Sequence, residues 1–246
     1  MARERVHEWR CGRLEDQRRE ALGSCRTHRD HGGGAGARGM TMPIWTRATL
    51  RLARHTGRDP RYLLHQAVCT LWDGEVRPVW RLVRRHGDAA EIVVLSRGMM
   101  TGRACGGWGC VESVSVGPVH RPSLGERAVF VGSVVATAEV DDERRVLTDA
   151  YPEEEPGELY TAYLQRRLGD IATVRWAEVY RISRTTVRRH GRSRGIMYYD
   201  AADVGGTLIV HDPAGLVDAL CDGIGRGKAF GFGLLTLSGE GWTWWR

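Results

Sequence analysis

The chain has 246 residues, a formal net charge of +6 and a pI near 9.2, a length that suggests one large or two small domains and a charge that suits a polyanionic partner. Apolar residues make up 42% of it, enough for a packed core. The longest apolar run, about Ala128 to Ala138, is interrupted by Gly132 and too short to span a bilayer, so no membrane partner is expected.

Residues 1–41 differ from the rest: they are rich in Arg and Glu, end in a glycine-rich run and read as a poorly ordered extension with at most a short helix from Glu15 to Leu22. Met40 or Met42 is a candidate start. Cys11, Cys25, His28 and His31 do not have the spacing of a known closed metal site, so no metal is expected. The cysteines are scattered and no secretory leader is visible, which suits reduced thiols in a cytoplasmic protein.

From Met42 the pattern becomes regular. Ile44 to Ala53 alternates as a strand, with Ile44, Thr46, Ala48, Leu50 and Leu52 on one face. Asp59-Pro60 starts a helix, the Asp as N-cap and the Pro at the first position, and the helix runs to about Trp72. Val79 to Val83 and Glu91 to Leu95 flank the hairpin signal His86-Gly87-Asp88. A glycine-rich link from Gly98 to Gly109, poor in helix formers, leads to a strand from Val111 to Val116.

Near Gly125 the order begins again. Ala128 to Val140 reads as a strand, Glu158 to Leu168 as a helix stopped by Gly169, and Val174 to Ile182 as a weak strand followed by a turn-rich basic stretch. Ile196 to Tyr199 and Thr207 to Val210 read as short strands. Asp212-Pro213 repeats the helix start, Asp222-Gly223 ends that helix, and Phe232 to Leu237 is the last strand. Two successive strand-helix-strand-strand-helix-strand units imply an α+β fold of tandem ferredoxin-like (RRM-like) domains, 42–124 and 125–240, with a Trp-bearing tail at 241–246.

Three stretches carry chemistry. Lys228 is the chain's single lysine, set among Gly225, Gly227, Gly231 and Gly233. Such a loop can meet a phosphate through backbone amides, or can be no more than a glycine-rich helix stop before a bulged strand. It fails the P-loop and dinucleotide templates, because Ala229 follows the lysine and Phe230 occupies the third glycine position. On the first helix, Leu63, Leu64, Ala67, Val68 and Leu71 make the apolar face, which leaves Tyr62 and His65 together on the other face. They are either a solvated pair or an imidazole and phenol available for proton transfer. The third stretch holds Arg181, Arg184, Arg188, Arg189, Arg192 and Arg194 with no acid among them, either a solvated basic loop or a fork of guanidiniums for a nucleic-acid groove. His55, His86, His120 and His211 sit at turns or helix starts and take no role.

From about Met42 to Ser238 the chain resembles the CasE (Cse3) endoribonucleases, the CRISPR RNA-processing subunit of the type I-E Cascade complex. Tyr62-Leu63-Leu64-His65-Gln66 is similar to that family's Tyr-x-x-His segment, and Tyr163 to Gly169 to its second-domain helix. Arg181 to Arg194 falls where the family has a basic RNA-groove hairpin, and Gly223 to Leu235 is similar to its glycine-rich loop, lysine included. The resemblance implies a metal-independent, cofactor-free cut in a CRISPR repeat hairpin, with His65 as general acid/base and Tyr62 beside it. It implies that Arg184, Arg188, Arg189, Arg192 and Arg194 hold the RNA, supported by Gly225, Gly227, Lys228, Gly231 and Gly233, and that other Cascade subunits are partners. Ser183, Lys228 and His190 are candidates for a third residue at the site. The other readings are a non-cleaving RNA-binding subunit of the same fold and a nucleic-acid-binding regulator.

Overall fold

A computed structural model describes residues 6–8, 43–53, 59–72, 77–102, 104–189, 195–240 and 242–243. The expected helix from Glu15 to Leu22, the candidate metal ligands of the extension, and His190, Arg192 and Arg194 lie outside the described residues.

The first sheet is built from β1 (Val6–Glu8), β2 (Ile44–Leu52), β3 (Val79–His86), β4 (Ala89–Ser96), β5 (Cys105–Gly106) and β6 (Gly109–Pro118). Its strands lie in the order β1-β6-β2-β4-β3, all antiparallel, with β5 against β6. With β1 and β5 set aside, the remaining four strands have the order of a ferredoxin-like sheet. Helix α1 (Pro60–Leu71) connects β2 to β3. It begins where Asp59 accepts from the Arg61 and Tyr62 amides, with Pro60 supplying the fixed φ of a first helical position. Its buried face, Leu63, Leu64, Ala67, Val68 and Leu71, packs on Ala48, Leu50 and Leu52 of β2 and on Ile92 and Val94 of β4. The alternation of β2 therefore points one set of side chains at α1, while Trp45 on the opposite face joins the second half's core. Among the described residues the link 98–109 holds β5 and turns, and no helix.

The second half contains β7 (Arg127–Val134), β8 (Thr137–Val140), β9 (Glu143–Val146), α2 (Leu147–Ala150), α3 (Pro156–Leu168), β10 (Ala172–Arg189), β11 (Gly195–Val210), α4 (Pro213–Asp222), β12 (Leu235–Gly239) and β13 (Trp242–Thr243). The antiparallel sheet order β10-β11-β7-β12-β13 repeats the ferredoxin-like arrangement. Asp212 caps α4 through the Ala214 and Gly215 amides, and Gly169 (φ 53°) stops α3.

Three local expectations change. The run from Ala128 to Val140 is two strands: β7 alternates to Val134, then Val135 and Ala136 are buried in succession, and β8 leaves to pair with β9 alone. Three consecutive buried residues break the two-residue period, so one strand cannot continue. The stretch after Ile182 is not turn-rich, because β10 runs on to Arg189 and pairs with a single unbroken β11. Gly205 and Gly206, which lie between the two expected short strands, are ladder positions crowded by Tyr180 and Trp176 of β10. The last strand starts at Leu235 rather than Phe232, since a one-turn 3-10 helix, Lys228–Phe230, precedes it.

The halves share one core. Trp45, Val79, Val93, Leu95 and Val119 pack with Phe130, Tyr160, Leu164, Leu220 and Leu235. Among the described residues no helix is long and apolar enough to cross a membrane.

Candidate active site

Tyr62 and His65 occupy adjacent turns of α1, with ring centroids 6.2 Å apart. His65 is half-buried. Its ring lies 5.1 Å from the ring of Phe230 in the loop after α4. One turn further along α1, the Cys69 sulfur is 3.6 Å from His65 Nδ1. Partial burial pushes the Cys69 thiol pKa up, which keeps it protonated beside the imidazole. Tyr62 packs on a third apolar cluster formed by Val135, Val187, Ala201, Phe230 and Phe232.

The glycine-rich loop is folded onto α1 from the other half of the molecule. Arg61 Nη1 donates to the Phe230 carbonyl at 2.7 Å, and its guanidinium lies 4.4 Å from the centre of the Phe232 ring. Burial lowers the Arg61 pKa, opposed by the charges of Asp59 and Asp203. Trp80 Nε1 donates to the Ala229 carbonyl at 3.3 Å. Gly227 (φ 71°) and Gly231 (φ 83°) bracket the Lys228–Phe230 turn. A Cβ on Gly231 would stand 2.5 Å from the Trp80 ring, and one on Gly227 2.8 Å from Phe232. Gly225 sits against the Val135 carbonyl and Gly233 against Ile224. Each of these glycines thus has a reason in chain-on-chain packing.

Between α1 and this loop lies a cleft of about 980 Å³, with His65, Cys69, Arg77, Arg97, Asp222, Lys228 and Ala229 on its walls and Val68, Trp72, Pro78, Val79, Trp80 and Cys221 completing the lining. Lys228 Nζ donates to the Asp222 carbonyl at 2.7 Å, which holds the ammonium at the cleft. Arg97 pairs with Asp222 at 2.8 Å and with Asp218 at 3.3 Å, and the Asp222 bond raises its pKa. An imidazole, an ammonium and two guanidiniums around one concavity outnumber the single lining carboxylate, Asp222, and suit an anionic substrate that exchanges protons. Among the described residues no group of three or more His, Cys, Asp or Glu side chains could hold a metal ion.

The β10–β11 ribbon carries the arginines. On one of its faces Val187, with Met197 and Tyr199 across the ladder, packs toward Phe230 and Phe232. Ser183, opposite Ala201, shares that face. The other face holds Arg184, Thr186 and Arg188, with Tyr198 and Ile196 exposed across from them. Arg184 is engaged in a two-pronged pair with Asp200 at 2.7 and 3.1 Å, which raises its pKa, and Arg181 pairs with Asp203 at 3.0 Å. Arg188 is exposed, and Arg189 ends the strand opposite Gly195.

Sequence reasoning missed Arg61, Arg77, Trp80, Arg97 and Phe230. Arg61 left one signal: a cation in the first turn of a helix faces the positive end of the helix dipole and needs a local reason to be there.

A family model described as CRISPR associated protein matches residues 44–238. No curated protein sequence matches. Among solved structures, a CRISPR endoribonuclease Cse3 bound to a 19-nucleotide RNA is similar, with a TM-score of 0.62 and 22% identity over 80% of this chain and 99% of that one. Cas6e of Escherichia coli K-12 gives 0.54 and 20% over 79% and 99%. A chain of a CRISPR RNA-guided surveillance complex gives 0.56 and 15% over 78% and 98%. These likenesses establish the tandem ferredoxin-like fold.

Proposed function

Because the chain belongs to the CRISPR associated protein family, we propose that it is an endoribonuclease that cuts CRISPR repeat hairpins in precursor RNA. The observation that carries this reading is the cleft itself: His65 from the first half and Lys228 from the second line one cationic concavity. A Cse3 chain of the same fold is bound to RNA, and another chain of that fold sits in a surveillance complex. By analogy the partners here are a repeat hairpin and the other Cascade subunits.

In the proposed reaction the ribose 2′-hydroxyl attacks the adjacent phosphorus while the bond to the 5′-oxygen of the next nucleotide breaks. The upstream product ends in a 2′,3′-cyclic phosphate and the downstream product in a 5′-hydroxyl. RNA supplies its own nucleophile, so the protein has to move protons and stabilise charge. His65 takes the 2′-hydroxyl proton or protonates the leaving oxygen, Tyr62 orients beside it, and Lys228 offsets the growing charge on the phosphoryl oxygens. No metal is required for those steps. Arg188 and Arg189 hold the hairpin stem, joined by Arg192 and Arg194; Arg184 does so when its bond to Asp200 gives way to phosphate.

The test is cleavage of the cognate repeat hairpin with EDTA present. Wild type should cut, and His65→Ala should bind the hairpin yet cut about 10²–10⁴-fold more slowly. Equal rates would remove His65 from the chemistry. Binding without cutting by the wild type would favour the non-cleaving RNA-binding subunit.

A further inference from the structure

We infer that Arg61 is a positioning residue for His65: it locks the Lys228–Phe230 turn onto α1 and so fixes the aromatic wall against which the imidazole stands. The inference rests on the cleavage reading and deepens it.

The contacts form a closed path. Arg61 stands one turn before His65 on α1. Its Nη1 holds the Phe230 carbonyl at 2.7 Å, and Trp80 Nε1 holds the preceding carbonyl, Ala229, at 3.3 Å. Two consecutive carbonyls of the turn are thus bound by side chains of the first half. The Phe230 ring then returns to α1, 5.1 Å from His65. The guanidinium also stacks at 4.4 Å on Phe232, whose ring meets Tyr199 of the β10–β11 ribbon at 5.6 Å. One side chain therefore ties the ribbon, the lysine turn and the histidine helix together.

An arginine is a costly choice at this place. It is in the first turn of a helix, where a cation is disfavoured, and it is desolvated there. What the guanidinium offers in exchange is a planar group that hydrogen-bonds in its plane and stacks on its face at once. An ammonium can do only the first, and an apolar side chain neither. Asp59, already the N-cap, and Asp203 supply opposing charge. The turn has αL glycines at both ends and so depends on outside contacts for its place. A displacement of about 1 Å of a group that transfers protons costs as much as about 100-fold in rate.

The experiment compares wild type, Arg61→Met and Arg61→Lys, with His65→Ala as control. Met keeps an apolar stem over Phe232 but cannot donate. Four quantities are read: the single-turnover rate on the repeat hairpin, the Kd for that hairpin, the thermal midpoint, and the His65 ring resonances of uncomplexed protein, identified by their absence in His65→Ala. In Arg61→Met the rate should fall about 10- to 100-fold with Kd unchanged, and the His65 resonances should lose the ring-current shift from Phe230. Arg61→Lys, which keeps charge and a donor, should recover part of both, and it replaces Met in the comparison if that variant melts too low to assay. His65 resonances that do not move, or a wild-type rate in Arg61→Met, would overturn the inference. A His65→Ala protein that cuts at the wild-type rate sinks the cleavage role of His65 instead. The two failures are separable because the resonance measurement needs no RNA.

Discussion

Cys221 shows how far the environment at the cleft reshapes a single side chain. It lines the cavity but is only 3% exposed, and burial raises its thiol pKa from 9.0 to about 12, with Asp218 and Asp222 adding to the rise and Arg97 opposing it. The folded protein holds this proton while the unfolded chain loses it, so the unfolded state binds fewer protons between about pH 9 and about 12. Stability should therefore fall with rising pH across that window and be unaffected by this group below it. Denaturant melts at stepped pH check this: Cys221→Ala should flatten the alkaline limb, and an identical limb in both proteins refutes the assignment. At pH 8 iodoacetamide should reach the Cys69 sulfur, which is accessible to solvent although its raised pKa slows the reaction, and reach Cys221 only after unfolding. Neither thiol's state was legible in the sequence, because desolvation depends on neighbours from α1, β3 and the end of α4.

At the scale of elements, α1 was readable because its signals are local. Asp59 and Pro60 mark its start, and the spacing of Leu63, Leu64, Ala67, Val68 and Leu71 marks its buried face. Asp59→Ala should cost about 1 kcal/mol of stability, the usual value of an N-cap, measured as a shift of the urea midpoint at constant m. The lysine turn carries a sharper prediction. Gly231 has φ 83° and lies under the Trp80 ring. Gly231→Ala should cost at least about 1–2 kcal/mol for the αL backbone alone, before the collision with the indole is counted. A cost within error of zero would mean that the turn is not held against Trp80. The β10–β11 ribbon was misread for a related reason. Its polar Arg, Ser and Thr residues and its paired glycines look like turn chemistry, while Val187, Met197 and Tyr199 acquire a partner face only once Phe230 and Phe232 arrive.

The whole molecule is held as one body by interactions that cross between the sheets. Arg81 of β3 donates to the Val131 carbonyl at 3.1 Å and to Thr236 Oγ1 at 3.0 Å, and burial lowers its pKa against the opposing charge of Asp203. With Trp45, Val93 and Leu95 in the shared core, the ribbon, the lysine turn and α1 keep a set relation. At this scale the arginines act as a field. Replacing Arg188 and Arg189 together by Ala should weaken hairpin binding and reduce the slope of log K against log salt by about 2, one for each phosphate that is no longer neutralised. Filter-binding titrations over a salt series measure it, and an unchanged slope would count against the groove role.

The sequence by itself determined the elements whose causes are local: the Asp-Pro starts of α1 and α4, the glycine stop of α3, the alternation of β2, and the repeated order behind the tandem ferredoxin-like fold. Side chains within a few residues of one another set caps, turns and amphipathic faces, and those rules are visible in one dimension. Only the tertiary structure decided that His65 and Lys228 line one cleft, that Arg61 and Trp80 hold the turn between them, and that the loop glycines make room for aromatic rings. The physical reason is that each of these depends on a ring, a carbonyl or a guanidinium brought from another part of the chain, and close approach leaves a mark in the sequence only as a glycine, without naming what approaches.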